Sequence, residues 1–140
     1  MNKIKGGARP NLTGLGGPGS GYLGLHLLAD LKECDPAVLA DLKRVRRAML
    51  GATRRLGATI VESVFHAFSP YGISGVVVIQ ESHLSIHTWP ERAFASVDFF
   101  TCSRSLKPDR ALRYLARELG STRTISLQIK RGVGLSLRRD

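Results

Sequence analysis

No long apolar run occurs in this chain: the longest is "GVVVI", residues 75–79, far short of the roughly 18 residues of a membrane-spanning helix. A membrane-embedded role is set aside on that ground. The N-terminus, "MNKIKGGARPNLTGLGGPGSG", is basic but turns glycine-rich where a secretory signal would turn apolar, so the chain reads as cytoplasmic. Cysteine is scarce. Cys34 and Cys102 stand far apart with no CxxC or Cys/His ligand spacing. In a reducing compartment two such thiols are expected to stay free, and alone they cannot make a four-ligand zinc site, so no metal is expected. Acidic residues are the minority charge, 11 Asp+Glu against 21 Lys+Arg, for a net charge of +10. That excess could draw a polyanion. It falls mostly on one predicted helix and the two tails, however, with no interleaved aromatics on which bases could stack. A solvated helix face is the better account, and nucleic-acid binding is not expected.

What the chain does have is enough apolar material, 43% of 140 residues, for one domain and not two. Residues 1–21 hold seven of the 15 glycines and read as a flexible basic tail, leaving residues 22–140 as the domain. "YLGLHLLADL" from Tyr22 suits a strand. Asp35 and Pro36 then supply an N-cap and a first-turn proline. Val38, Leu42, Val45, Met49, Ala52 and Leu56 follow as one helical stripe, and Gly57 supplies a stop. Lys43, Arg44, Arg46, Arg47, Arg54 and Arg55 mostly avoid that stripe. "ATIVESVFHAF" (58–68), "ISGVVVIQE" (73–81), "HLSIHTW" (83–89) and "FASVDFFTC" (94–102) read as strands separated by "SPYG" and "PERA" turns. "KPDRALRYLARELG" reads as a second long helix, with Leu112, Leu115 and Leu119 on one side, and "RTISLQIK" as a last strand. The predicted class is α+β, an antiparallel or mixed sheet with helices packed on one face.

The segment "QESHLSIHTWPE", residues 80–91, carries more chemistry than a buried strand needs. Strand alternation puts His83, Ser85, His87 and Trp89 on one face and Leu84 and Ile86 on the other. Periodicity alone favours an ordinary polar face over a site. No helical metal spacing is present, and no Ser/His/Asp order is legible from sequence.

"FHAFSPYGISGVVVIQESHLSIHTWPERAFASVDFFTC", residues 65–102, strongly resembles the bacterial and archaeal S-adenosylmethionine decarboxylases, small pyruvoyl-dependent enzymes of polyamine biosynthesis. The likeness extends from about Tyr22, through "LGLHLLADLKECD", to the second long helix. It implies a two-layer α/β sandwich with a mostly antiparallel sheet, and a homodimer with residues of both protomers at each site. It also implies a proenzyme that cuts itself between Glu81 and Ser82 into residues 1–81 and 82–140, a dimer then holding two copies of each fragment. Ser82 would become the covalent pyruvoyl group, with no metal and no pyridoxal phosphate. The pyruvoyl carbonyl would form a Schiff base with the substrate amine and accept electrons as carbon dioxide leaves, giving the aminopropyl donor for spermidine synthesis.

By the same resemblance Ser74 assists processing and His87 is its proton acceptor, a task suited to imidazole's ordinary pKa of roughly 6.5. Cys102 is the proton donor in decarboxylation, as a thiol with a pKa of about 8.5 can be. Phe68 stacks on adenine, and Glu91 holds the ribose hydroxyls. Trp89, Tyr71 and His83 either line the pocket or pack, and Cys34 carries no role. The acyl shift at Ser82 is uphill for a relaxed peptide, so strain or oxyanion stabilisation is expected at Glu81–Ser82. Ser82 and His87 have opposite parity and stand about 16 Å apart in an extended strand, so spacing does not bring them together. "ERAF" and "FHAF" depart from the family's frequent "EYGY" and "FHRF", which makes a pyruvoyl-dependent decarboxylase of L-arginine or L-ornithine the alternative. A non-catalytic regulatory paralogue is the second, disfavoured because Ser82, His87 and Cys102 are all present.

Overall fold

The computed structural model describes residues 21–134, so the N-terminal tail and the last six residues lie outside the described part. The element order is β1 (Gly24–Lys32), α1 (Pro36–Leu39), α2 (Leu42–Leu56), β2 (Ile60–Ala67), β3 (Ile73–Ile79), β4 (Ser82–Trp89), a 3-10 turn (Pro90–Arg92), β5 (Phe94–Thr101), α3 (Pro108–Glu118) and β6 (Arg123–Arg131). The strands form one six-stranded sheet in the order β2-β3-β4-β5-β1-β6, antiparallel at every pairing. Of the two arrangements left open by the sequence, antiparallel or mixed, the first is realised.

The predicted single helix after Pro36 is two. Asp41 adopts an extended backbone and its carboxylate accepts from the N–H groups of Lys43 and Arg44, capping a new helix where the apolar stripe had suggested continuity. A short side chain that satisfies free N–H groups competes with helix propagation. The consequence shows at Leu42, predicted core but 37% exposed, while Val38, Val45, Met49, Ala52 and Leu56 are buried. Asp35 caps α1 through the Ala37 N–H, and Gly57 closes α2 in the left-handed conformation at φ 88°, as the sequence indicates.

Both long helices cover one face of the sheet. Gly51 of α2 lies directly beneath the Tyr114 ring of α3, so close that a Cβ there would stand 2.7 Å from a ring carbon. Leu27, Leu31, Leu84, Ile86, Val97 and Phe99 point into the core below them, each burial being worth about 1.5–3 kcal/mol. The opposite face carries no layer among the described residues. There Val76, Val78, Leu28, Ile125, Leu127 and Ile129 remain 38–60% exposed, aligned by register with His83, Asp98 and His26. Every residue of β6 is exposed.

Candidate active site on the open sheet face

β4 runs across the middle of the sheet and alternates as predicted: Leu84, Ile86 and Thr88 are buried, while His83 and Ser85 are half-buried and His87 and Trp89 exposed. Its two ends hold different chemistry.

At the first end, the β3–β4 turn is fixed by three hydrogen bonds. The Gln80 N–H donates to the Thr59 carbonyl at 3.0 Å and the Thr59 N–H to the Glu81 carboxylate at 3.3 Å. The third matters most for chemistry, because the Cys102 N–H donates to the Glu81 carbonyl at 3.0 Å. The carbonyl preceding Ser82 is thus already polarised by a backbone donor. Ser82 itself has φ 144°, a region that costs a residue with a side chain about 1–3 kcal/mol. Strain or oxyanion stabilisation is the expectation at this bond; the geometry holds a positive-φ serine and an N–H on the preceding carbonyl. The bend turns the Ser82 hydroxyl toward His83, with Oγ 3.4 Å from Nδ1.

Behind His83 lies a polar chain that sequence reading did not find. His83 Nε2 is 3.1 Å and His26 Nε2 2.7 Å from Asp98 Oδ2. The Ser85 hydroxyl donates to Asp98 Oδ1, and the Arg131 guanidinium donates to His26 Nδ1 at 2.9 Å. Burial works to raise the Asp98 pKa, but the hydrogen bonds from Ser85, His26 and His83 outweigh it and hold the carboxyl below its ordinary value. Ligand atoms of His26, His83 and Asp98 lie within 4.8 Å of one another, and each imidazole already meets the carboxylate. The missed signal was an acid inside the apolar run "FASVDFF", opposite Ser85 on β4.

Cys102 follows β5 beside this turn, half-buried and unpaired. Burial pushes its thiol up, so it keeps its proton near neutrality. It opens on a cavity of about 480 Å³ lined also by Tyr22, Leu25, Arg104 and Lys130. Cys34, also free, is buried under the sheet.

At the other end Ser74 of β3 stands opposite His87, its Oγ 2.8 Å from Nδ1. This pair opens on a second cavity of about 330 Å³, lined with Phe68, Tyr71, Trp89 and Glu91. Phe68 and Tyr71 are half exposed. Arg92 and Ala93 close the 3-10 turn, Ala93 at φ 48°. The structure therefore pairs Ser74 with His87, and Ser82 with His83, with the Cys102 N–H on the preceding Glu81 carbonyl, but within one chain the two groups do not meet. Ser82 pairs with Ile79 and His87 with Ser74 across β3, about 16 Å apart along the strand.

The family model described as S-adenosylmethionine decarboxylase matches residues 25–132. A protein of Thermodesulfovibrio yellowstonii named S-adenosylmethionine decarboxylase proenzyme is 48% identical over 111 residues, 79% of this chain and 82% of that one. A Carboxydothermus hydrogenoformans protein of the same name is 50% identical over 111 residues, covering 79% and 87%. Among solved structures, the adenosylmethionine decarboxylase from Aquifex aeolicus superposes with a TM-score of 0.77 at 35% identity, covering 86% of this chain and 99% of that one.

Proposed function

Since the chain belongs to the S-adenosylmethionine decarboxylase family, we propose that it cuts its own backbone between Glu81 and Ser82 and uses the resulting pyruvoyl group to decarboxylate S-adenosylmethionine. The carboxy-lyase activity is that of the family, and spermidine synthesis is the use implied for its product. The observation carrying the self-cleavage is the pairing of a strained Ser82 at φ 144° with a Glu81 carbonyl held at 3.0 Å by the Cys102 N–H. Strain lowers the cost of leaving the peptide ground state, and an N–H already aimed at the carbonyl stabilises the oxyanion that attack would create. Once formed, the pyruvoyl group supplies an electrophilic carbonyl for the substrate amine and a sink for the electrons released with carbon dioxide.

The chain's own residues then have separable tasks. Cys102, kept protonated by burial, returns a proton to the α-carbon. Phe68 offers an exposed ring for adenine at the cavity shared with Glu91, whose carboxylate can accept from ribose hydroxyls and favours a cationic sulfonium. Trp89 walls the same cavity. Ser74 and His87 serve processing, His87 taking the proton from the Ser82 α-carbon during elimination.

These assignments need both ends of β4 at one reacting centre. A homodimer of cleaved protomers meets that need if a two-fold axis sets the His87 end of one copy against the Ser82 end of its partner. The open face supports such an assembly, since Leu28, Val76, Val78, Ile125 and Leu127 are left at least 38% exposed on it and exposed apolar side chains favour association. No helix among the described residues is long and apolar enough to cross a membrane, and the two free thiols suit the reducing cytoplasm.

Intact mass under denaturing conditions tests the cleavage, and carbon dioxide release with S-adenosylmethionine, L-ornithine and L-arginine tests the substrate. Two fragments, residues 1–81 and a pyruvoyl-capped 82–140, with release from S-adenosylmethionine alone, are expected. An uncut chain silent on all three substrates would overturn the proposal.

A further inference from the structure

We propose that His83, oriented by Asp98, is the base that starts self-cleavage by taking the Ser82 hydroxyl proton. The proposal rests on the self-cleavage reading above and adds to it a residue and a division of labour. Proton positions follow from the chain of partners. A guanidinium can only donate, so Arg131, at 2.9 Å, makes His26 Nδ1 an acceptor. The His26 proton then sits on Nε2 and is donated to Asp98 Oδ2 at 2.7 Å. Asp98 is ionised near neutrality and only accepts, so His83 Nε2, at 3.1 Å, must also carry its proton. A neutral imidazole protonated on Nε2 has its lone pair on Nδ1. That lone pair is the His83 atom 3.4 Å from Ser82 Oγ, long for a hydrogen bond but of the kind that tightens as reaction begins.

The step balances without any outside reactant. Ser82 Oγ–H gives its proton to His83 Nδ1 as Oγ bonds to the Glu81 carbonyl carbon, and the Cys102 N–H holds the resulting oxyanion. When the C–N bond breaks, its electron pair goes to the Ser82 nitrogen, which takes the proton back from His83. The product is an ester between Glu81 and the Ser82 side chain, with a free amine on Ser82. His87 does not serve this step within its own chain, because its Nδ1 faces Ser74 at 2.8 Å at the far end of the strand. Two histidines therefore act on one serine in sequence, His83 on the oxygen and His87 on the α-carbon. Asp98 is a positioning residue: it touches no reacting atom and fixes which His83 nitrogen is free.

Hydroxylamine cleaves the ester and leaves the amide, so it separates the two steps. His83→Ala should slow cutting by about 100-fold without accumulating a hydroxylamine-sensitive chain, and added imidazole should restore cutting. His87→Ala should instead accumulate a full-length chain that hydroxylamine splits at Glu81. His83→Asn keeps a donor for Asp98 but has no basic nitrogen; slow cutting at an unchanged Tm separates loss of the base from loss of the fold. Asp98→Asn should slow the same step by about 10-fold, with Asp98→Glu restoring it. Wild-type cutting rates in His83→Ala or His83→Asn, or ester build-up in either, would overturn the proposal. If the wild-type chain never cuts, the underlying self-cleavage reading has failed instead.

Discussion

The two ends of β4 are built from the same residue types, a serine beside a histidine, in opposite surroundings. At the Ser82 end the serine is strained, its neighbouring carbonyl is held by an N–H, and its histidine is tied to a half-buried carboxylate. At the His87 end Ser74 lies in regular strand, its histidine is exposed, and the surroundings are a half-open aromatic cavity. On the proposed reading the first end would break a bond in the chain itself and the second would receive a planar ligand. The length of the strand keeps them apart, so the proposed chemistry needs an end from each of two copies.

The largest expected effect comes from putting the two ends on different chains. Ser82→Ala and His87→Ala should each prevent fragment formation when purified alone. In mixed dimers the intact Ser82 of one copy meets the intact His87 of the other, so cutting should return, confined to the His87→Ala chain. Differently tagged copies, co-expressed and weighed, read this directly. No cutting in a confirmed mixed dimer would place both ends of the site in one protomer and remove the main argument for a shared site.

A smaller effect separates ligand binding from chemistry. Phe68→Ala should leave self-cleavage intact and raise KM for S-adenosylmethionine by about 10- to 100-fold, as expected from the ~1–3 kcal/mol of stacking a base on an aromatic ring. Cys102→Ala should also cut, because the N–H on the Glu81 carbonyl belongs to the backbone, but should lower kcat by about 100-fold. If Phe68→Ala changed kcat and left KM alone, the division between a reacting end and a binding end would be wrong.

The strands and the face of β4 that carries chemistry were legible because alternation is a local property: Leu84 and Ile86 go inward wherever the strand is placed. The break before α2 was not, since Asp41 fits an exposed helical position and a cap equally well until its carboxylate is seen on the N–H groups of Lys43 and Arg44. Ser74, Ser82, His87 and Cys102 were readable as candidates from a resemblance, whereas their pairing depends on register. Ser74 meets His87 through β3–β4 pairing, and the Cys102 N–H reaches the Glu81 carbonyl just past the end of β5. His26, Asp98 and Arg131 escaped notice because they come from β1, β5 and β6, as much as 105 positions apart in the chain. Only the strand order brings them to one spot.

The smallest expected effect concerns stability in acid, and it too distinguishes the ends. Asp98 has a folded pKa below its ordinary value of about 3.9, so the unfolded state binds its proton more readily. Its contribution is therefore fully present above the unfolded pKa and is lost as pH falls through the folded one. Wild-type Tm should fall more steeply than that of Asp98→Asn as the pH drops below about 4, the two curves converging by a few degrees. Ser74→Ala at the other end should leave the acid slope of the wild type unchanged, because no carboxylate among the described residues is bonded to the Ser74–His87 pair. Parallel acid slopes for wild type and Asp98→Asn would mean that the donors from Ser85, His26 and His83 do not hold Asp98 ionised in solution, and His83 would then lose the partner that fixes its proton on Nε2.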